Sequence, residues 1–149
     1  MTEKILIVDN DPEMLNLLSI LVSENTSYSP VITNNPLEAV EIIREGGIDL
    51  VITRLKMPVL DGIQVLQEAK RADEDIQVII ISRYSTFETA RELMNNDGFD
   101  LIEIPFKKEQ MLLAIHKGIN WRKLHKDYRK LKEWVQKGGG KTSTVYSGV

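Results

Sequence analysis

Short unbroken apolar runs alternate along this chain with segments whose apolar positions recur every three or four residues. Ile5-Leu6-Ile7-Val8 is continuous, the pattern of a strand buried on both faces. Asp11-Pro12-Glu13 follows, with Asp as N-cap, Pro at the first helical position and an acid in the first turn. That helix carries Met14, Leu15, Leu17, Leu18, Leu21 and Val22 on a broad stripe. Residues 28–33 read as a weaker strand, and Pro30, which cannot donate to a ladder, places it at a sheet edge. Asn35-Pro36 opens a second helix and Gly46-Gly47 stops it. Residues 48–53 and 76–81 are further apolar strands, separated by a loop and a helix bearing Ile63, Val65, Leu66 and Ala69. A fourth helix is predicted over Thr86–Met94, a turn over residues 95–98, a fifth strand over Phe99–Ile104, and a long helix from about Lys107 to Lys137.

Five strand–helix repeats of this spacing predict an α/β fold, a parallel sheet with right-handed crossovers. In such sheets ligands bind beyond the carboxyl ends of the strands. Candidate chemistry therefore belongs to Asp9-Asn10-Asp11, Thr53-Arg54, Ser82-Arg83 and Glu103-Ile104. No glycine-rich loop follows the first strand, which excludes the dinucleotide-binding and P-loop readings.

Composition narrows the field further. A chain of 149 residues, 42% hydrophobic, is the size of one domain with a real core. With no cysteine there is no disulfide framework, thiolate metal site or cysteine nucleophile, and the expected location is the cytoplasm. No apolar run reaches the ~18–20 residues of a membrane span, the first residues do not read as a signal peptide, and two histidines cannot make a His-rich metal cluster.

Charge is uneven. Residues 122–137 hold seven cations against Asp127 and Glu133, a balance of +5; with Lys141 also basic, the net −3 leaves −9 on residues 1–121. The basic run reads either as salt-bridged helix surface or as an electrostatic docking face. Within the last helix, Leu112, Ile115 and Ile119 can close the core, after which the apolar series becomes Trp121, Leu124, Tyr128, Leu131 and Val135. Its alternating steps of three and four are a heptad seam. Either that seam meets a partner helix, most simply in a homodimer, or the helix bends back onto its own domain. The chain is thus divided into a domain over 1–121, a basic helical extension over 122–137 and a flexible Gly/Ser/Thr tail over 138–149, which is expected either to lead to an output domain or to end the protein.

Four marks, in this order on five β/α repeats, resemble a known family. They are Ile5–Val8 running into Asp9-Asn10-Asp11-Pro12, the loop Met57-Pro58-x-x-Asp61-Gly62, Ser82 after the fourth strand, and Pro105-Phe106 after the fifth. The family is the receiver domain of two-component response regulators, and the resemblance covers about residues 3–121. It implies a flavodoxin-like (βα)5 doubly wound sheet of order 2-1-3-4-5, which makes the second strand an edge. It also implies a phosphorylation pocket: two acids after the first strand holding Mg²⁺, an acceptor Asp ending the third, a Ser or Thr ending the fourth, and a Lys before the proline. Such transfer rests on positioning and charge stabilisation.

Much of that set is replaced here. The acceptor position holds Arg54, a donor-only cation. The second acid is Asn10, the lysine is Ile104, and the switch aromatic is Leu101. Asp9 and Ser82 remain, with Asp11 and Arg83 nearby. The expectation is an Asp9–Arg54 pair that fills the space of metal and phosphoryl group, with Mg²⁺ binding weak or absent. Plainer roles are also open: Asp9 as a solvated loop acid, Asp11 as a cap, Ser82 as a satisfied hydroxyl, Arg54 reaching to solvent, and Asp61-Gly62 as turn and cap. The expected function is a non-enzymatic signalling module, independent of phosphorylation, acting through a protein partner of the histidine-kinase pathway and as a dimer through the helix-4, strand-5, helix-5 face. A regulator with a non-standard acceptor, and non-specific nucleic-acid binding by the basic helix, are the alternatives.

Overall fold

The computed structural model describes residues 2–139. Five strands and five helices alternate: β1 (Lys4–Val8), α1 (Pro12–Asn25), β2 (Ser29–Thr33), α2 (Pro36–Glu45), β3 (Leu50–Arg54), α3 (Gly62–Ala72), β4 (Gln77–Ser82), α4 (Phe87–Asn95), β5 (Asp100–Glu103) and α5 (Lys108–Gln136). The strands form one parallel sheet of order β2-β1-β3-β4-β5. β2 is an edge, and Pro30 sits opposite Ile5 in its register.

Alternate side chains of each strand serve opposite faces. Ile5, Ile7, Leu50, Ile52, Ile79 and Ile81 pack beneath α1 and α5, while Leu6, Val8, Val51, Val78 and Ile80 pack beneath α2 and α3, with Leu93 of α4 alongside. Both faces are covered, which is why the strand sequences are continuous apolar runs rather than alternating ones.

The helix starts follow their cap chemistry. Asp11 and Asn35 accept the amides of Glu13 and Leu37, and Asp61 forms a reciprocal capping box with Gln64. Thr86, expected as the first residue of α4, is instead its N-cap and accepts from the Thr89 amide.

The last helix is one continuous element of 29 residues, about 43 Å long. Gly118 lets it approach the sheet: a Cβ there would meet Leu50 Cδ1 at 2.5 Å. Nothing changes in the helix at the boundary drawn after residue 121. Arg122 is buried, with Nε 2.8 Å from Asp49 Oδ1 and Nη1 3.1 Å from Asp73 Oδ2. Lys123 pairs with Glu3, and Arg129 reaches Glu74 and the buried Asp75. The first turns of the basic run are therefore bolted to acids at the amino ends of the strands. Charge balance alone could not separate them from the globule, because their partners are distant in sequence. The helix does not fold back between or beyond these contacts: Leu124, Tyr128, Leu131, Trp134 and Val135 stay exposed. Most of the tail predicted over 138–149 lies outside the described residues.

Candidate functional site

The carboxyl ends of β1, β3 and β4 converge on a cavity of about 350 Å³ lined by Asn10, Asp11, Arg54, Lys56, Ser82, Arg83 and Tyr84. Asp9, directly after β1, is wholly buried beside it. Its carboxylate accepts twice: Oδ1 from the Asp11 amide at 2.9 Å, and Oδ2 from Arg54 Nε at 3.0 Å. Arg54, the last residue of β3, keeps only 11% of its side chain exposed, so it neither reaches out to solvent nor leaves Asp9 as a solvated acid. Its Nη2 lies 3.8 Å from Asp11 Oδ2. Asp11 has a second task as the cap of α1, at 3.0 Å from the Glu13 amide.

Electrostatics pull two ways on Asp9. Burial pushes its carboxyl above the usual aspartate range, against the opposing pull of the Asp11 amide and the Arg54 guanidinium. A buried pair of this kind gains charge-assisted hydrogen bonds and loses hydration.

The surrounding loops hold this arrangement tightly. Gly62 opens α3 directly against β3, where a Cβ would come within 2.5 Å of the Arg54 carbonyl oxygen; its amide donates to the Leu55 carbonyl at 2.7 Å. Met57 packs on the α2/α3 side of the core, and the Pro58 carbonyl accepts the Leu60 amide across Val59. Ser82 Oγ donates to the Tyr84 carbonyl at 3.1 Å and accepts the Tyr84 amide at 3.2 Å, the satisfied strand-end hydroxyl. Ile104 is buried, its amide bonded to the Ser82 carbonyl, and Pro105 follows through a cis peptide. Two cavity residues had not been singled out from sequence, Lys56 and Tyr84. Each is two residues from a marked position (Arg54 and Ser82), and the strand-end rule could have flagged them.

The divalent ion implied by the resemblance does not fit this donor set. One carboxylate is hydrogen-bonded by a guanidinium, the next residue is the neutral Asn10, and the other acid caps a helix. Among the described residues no three His, Cys, Asp or Glu side chains converge as metal ligands.

A family model for the response regulator receiver domain matches residues 5–116. The chain belongs to the response regulator receiver domain family. Receiver relatives support this at chain level. The sporulation initiation phosphotransferase F of Bacillus subtilis is 32% identical over 117 residues, 78% of this chain and 94% of its own. The transcriptional regulatory protein ZraR of Klebsiella oxytoca is 31% identical over 115 residues, 77% of this chain. The match spans only 26% of that regulator's length. A solved receiver domain protein from Clostridium thermocellum superposes with a TM-score of 0.77 at 28% identity, covering 82% of this chain and 98% of its own. The expected flavodoxin-like receiver fold with its long last helix is thus what the chain adopts. It is a two-component response regulator receiver domain. No described helix is long and apolar enough to cross a membrane.

Proposed function

We propose that this receiver signals without aspartyl phosphorylation, through protein–protein contact. The observation that carries the reading is Arg54 Nε seated 3.0 Å from Asp9 Oδ2, where a receiver pocket would need a free carboxylate and room for a cation. A guanidinium cannot accept a phosphoryl group at neutral pH, and its charge repels the divalent ion that would assist transfer. The replaced lysine is consistent with this: Ile104 has no charge to offer a phosphoryl oxygen. The chain is then held in one state of the pocket, and its output depends on which partner it meets in a histidine-kinase pathway.

The partner surface includes the exposed seam Trp121, Leu124, Tyr128, Leu131 and Val135, which in a single chain leaves two aromatic rings and three aliphatic side chains in water. A parallel helix from a second copy would cover it. The nucleic-acid alternative loses ground because Arg122, Lys123 and Arg129 are already paired with acids of the body.

The test is incubation of the intact chain with Mg²⁺ and beryllofluoride, and separately with a small phosphodonor. After dialysis, an unchanged mass is expected. A phosphoryl adduct on any side chain of residues 1–121 would overturn the reading. Sedimentation of the intact chain, compared with Leu124→Asp/Leu131→Asp, is expected to show a dimer that the double substitution dissociates.

A further inference from the structure

The cavity at the top of the sheet has more cations than its ion pairs use. Arg54 spends Nε on Asp9, and its Nη2 lies at the outer edge of pairing distance from Asp11. Lys56 and Arg83 line the same space from the loops after β3 and β4, and among the described residues neither has an acid within 4.0 Å. The remaining lining groups, Asn10, Ser82 and Tyr84, all carry N–H or O–H donors; Asp11 is the one acid in the wall. Three cations around a concave surface raise the local concentration of anions.

The volume, about 350 Å³, is at the small end of ligand cavities, which run from roughly 300 to 1,000 Å³. That size suits a compact, highly charged ligand whose oxygens can each take a charge-assisted hydrogen bond. A planar guanidinium is well matched to a tetrahedral oxyanion, and a lysine acts beside it as a mobile point charge.

We propose that Arg83, Lys56 and the Asp9-anchored Arg54 form a reversible site for a phosphate dianion, free or as a small monoester, bound without metal and without a covalent bond. The inference rests on the reading that Arg54 has taken the acceptor position. It assigns the cavity a ligand-sensing use: an anion bridging the loops after β3 and β4 would tie the segment leading into α4 to the rest of the pocket.

The experiment is calorimetric titration of the intact chain with inorganic phosphate and with glycerol 3-phosphate, at constant ionic strength in EDTA. Saturable binding is expected, lost on dialysis, and weakened at least tenfold in Lys56→Gln/Arg83→Gln. Because both residues are exposed and unpaired, the ligand-free melting temperature of that variant should match the parent. Tighter binding of glycerol 3-phosphate identifies a monoester as the occupant, and equal binding identifies free phosphate. Absence of saturable binding to either probe, or equal binding by the variant, overturns the site. A mass adduct surviving dialysis would instead refute the phosphorylation-independent reading, so the two failures are distinguishable.

Discussion

The two ends of the sheet solve the same problem with opposite electrostatic results. At the carboxyl ends, Arg54 meets Asp9 at 3.0 Å; at the amino ends, Arg122 meets Asp49 at 2.8 Å. In both, an arginine ties elements far apart in sequence. Asp9 is completely buried, so loss of hydration outweighs its partner and its carboxyl titrates above the usual range. Asp73, the second partner of Arg122, keeps 38% of its side chain in water. Burial works against its ionisation too, but the Asp75 amide and Arg122 together prevail and hold it below the usual range. Arg122 nonetheless has a geometric flaw: Nη1 is close to Asp73 but not aligned for a hydrogen bond. The lesson is that an Asp–Arg distance does not report what the pair does for stability; the water left around the carboxylate decides it.

The largest test of that contrast is removal of each arginine. Arg54→Met leaves Asp9 buried and uncompensated, and should lower unfolding free energy by about 3–5 kcal/mol in urea at neutral pH. Adding Asp9→Asn should restore much of it. Arg122→Met should lose less, about 2 kcal/mol, since Asp49 and Asp73 can rehydrate. Equal losses would break the comparison.

A smaller effect separates the two glycines that flank these sites. At Gly62 an added methyl meets backbone at 2.5 Å, so Gly62→Ala should cost about 2 kcal/mol. At Gly118 it meets the end of the Leu50 side chain, which can move, and alanine regains about 1 kcal/mol of helix propensity. Gly118→Ala should therefore change thermal stability much less than Gly62→Ala.

The finest distinction lies in titration. Asp9 has a folded pKa raised above its unfolded value of ~3.9, so its contribution to stability falls as pH rises through the interval between them. Asp73 has a lowered folded pKa; its contribution is present above the unfolded value and is lost as pH falls through the folded one. Carboxyl-carbon NMR titration should place the Asp9 midpoint above that of Asp73, and the reverse order would refute the difference in hydration.

Legibility in sequence was uneven for the same reason. The alternation of apolar runs with capped helices, Pro30 at an edge and the Asp9–Arg54 juxtaposition could all be read from local pattern or from the family's strand-end positions. The amino-end ion pairs could not, because Asp49, Asp73 and Asp75 look like ordinary turn acids and their partners lie about 50 to 70 residues away in a helix that reads as a free basic rod. Lys56 and Tyr84 escaped notice because exposed loop residues carry no periodic signal.

By itself the amino-acid order determined the five β/α units, their caps and an arginine at the end of β3, since these depend on residue type at short range. Only the tertiary structure decided which acids keep water, which cations are spent on ion pairs and which remain to face the cavity, because hydration and pairing depend on what the fold packs around a charge.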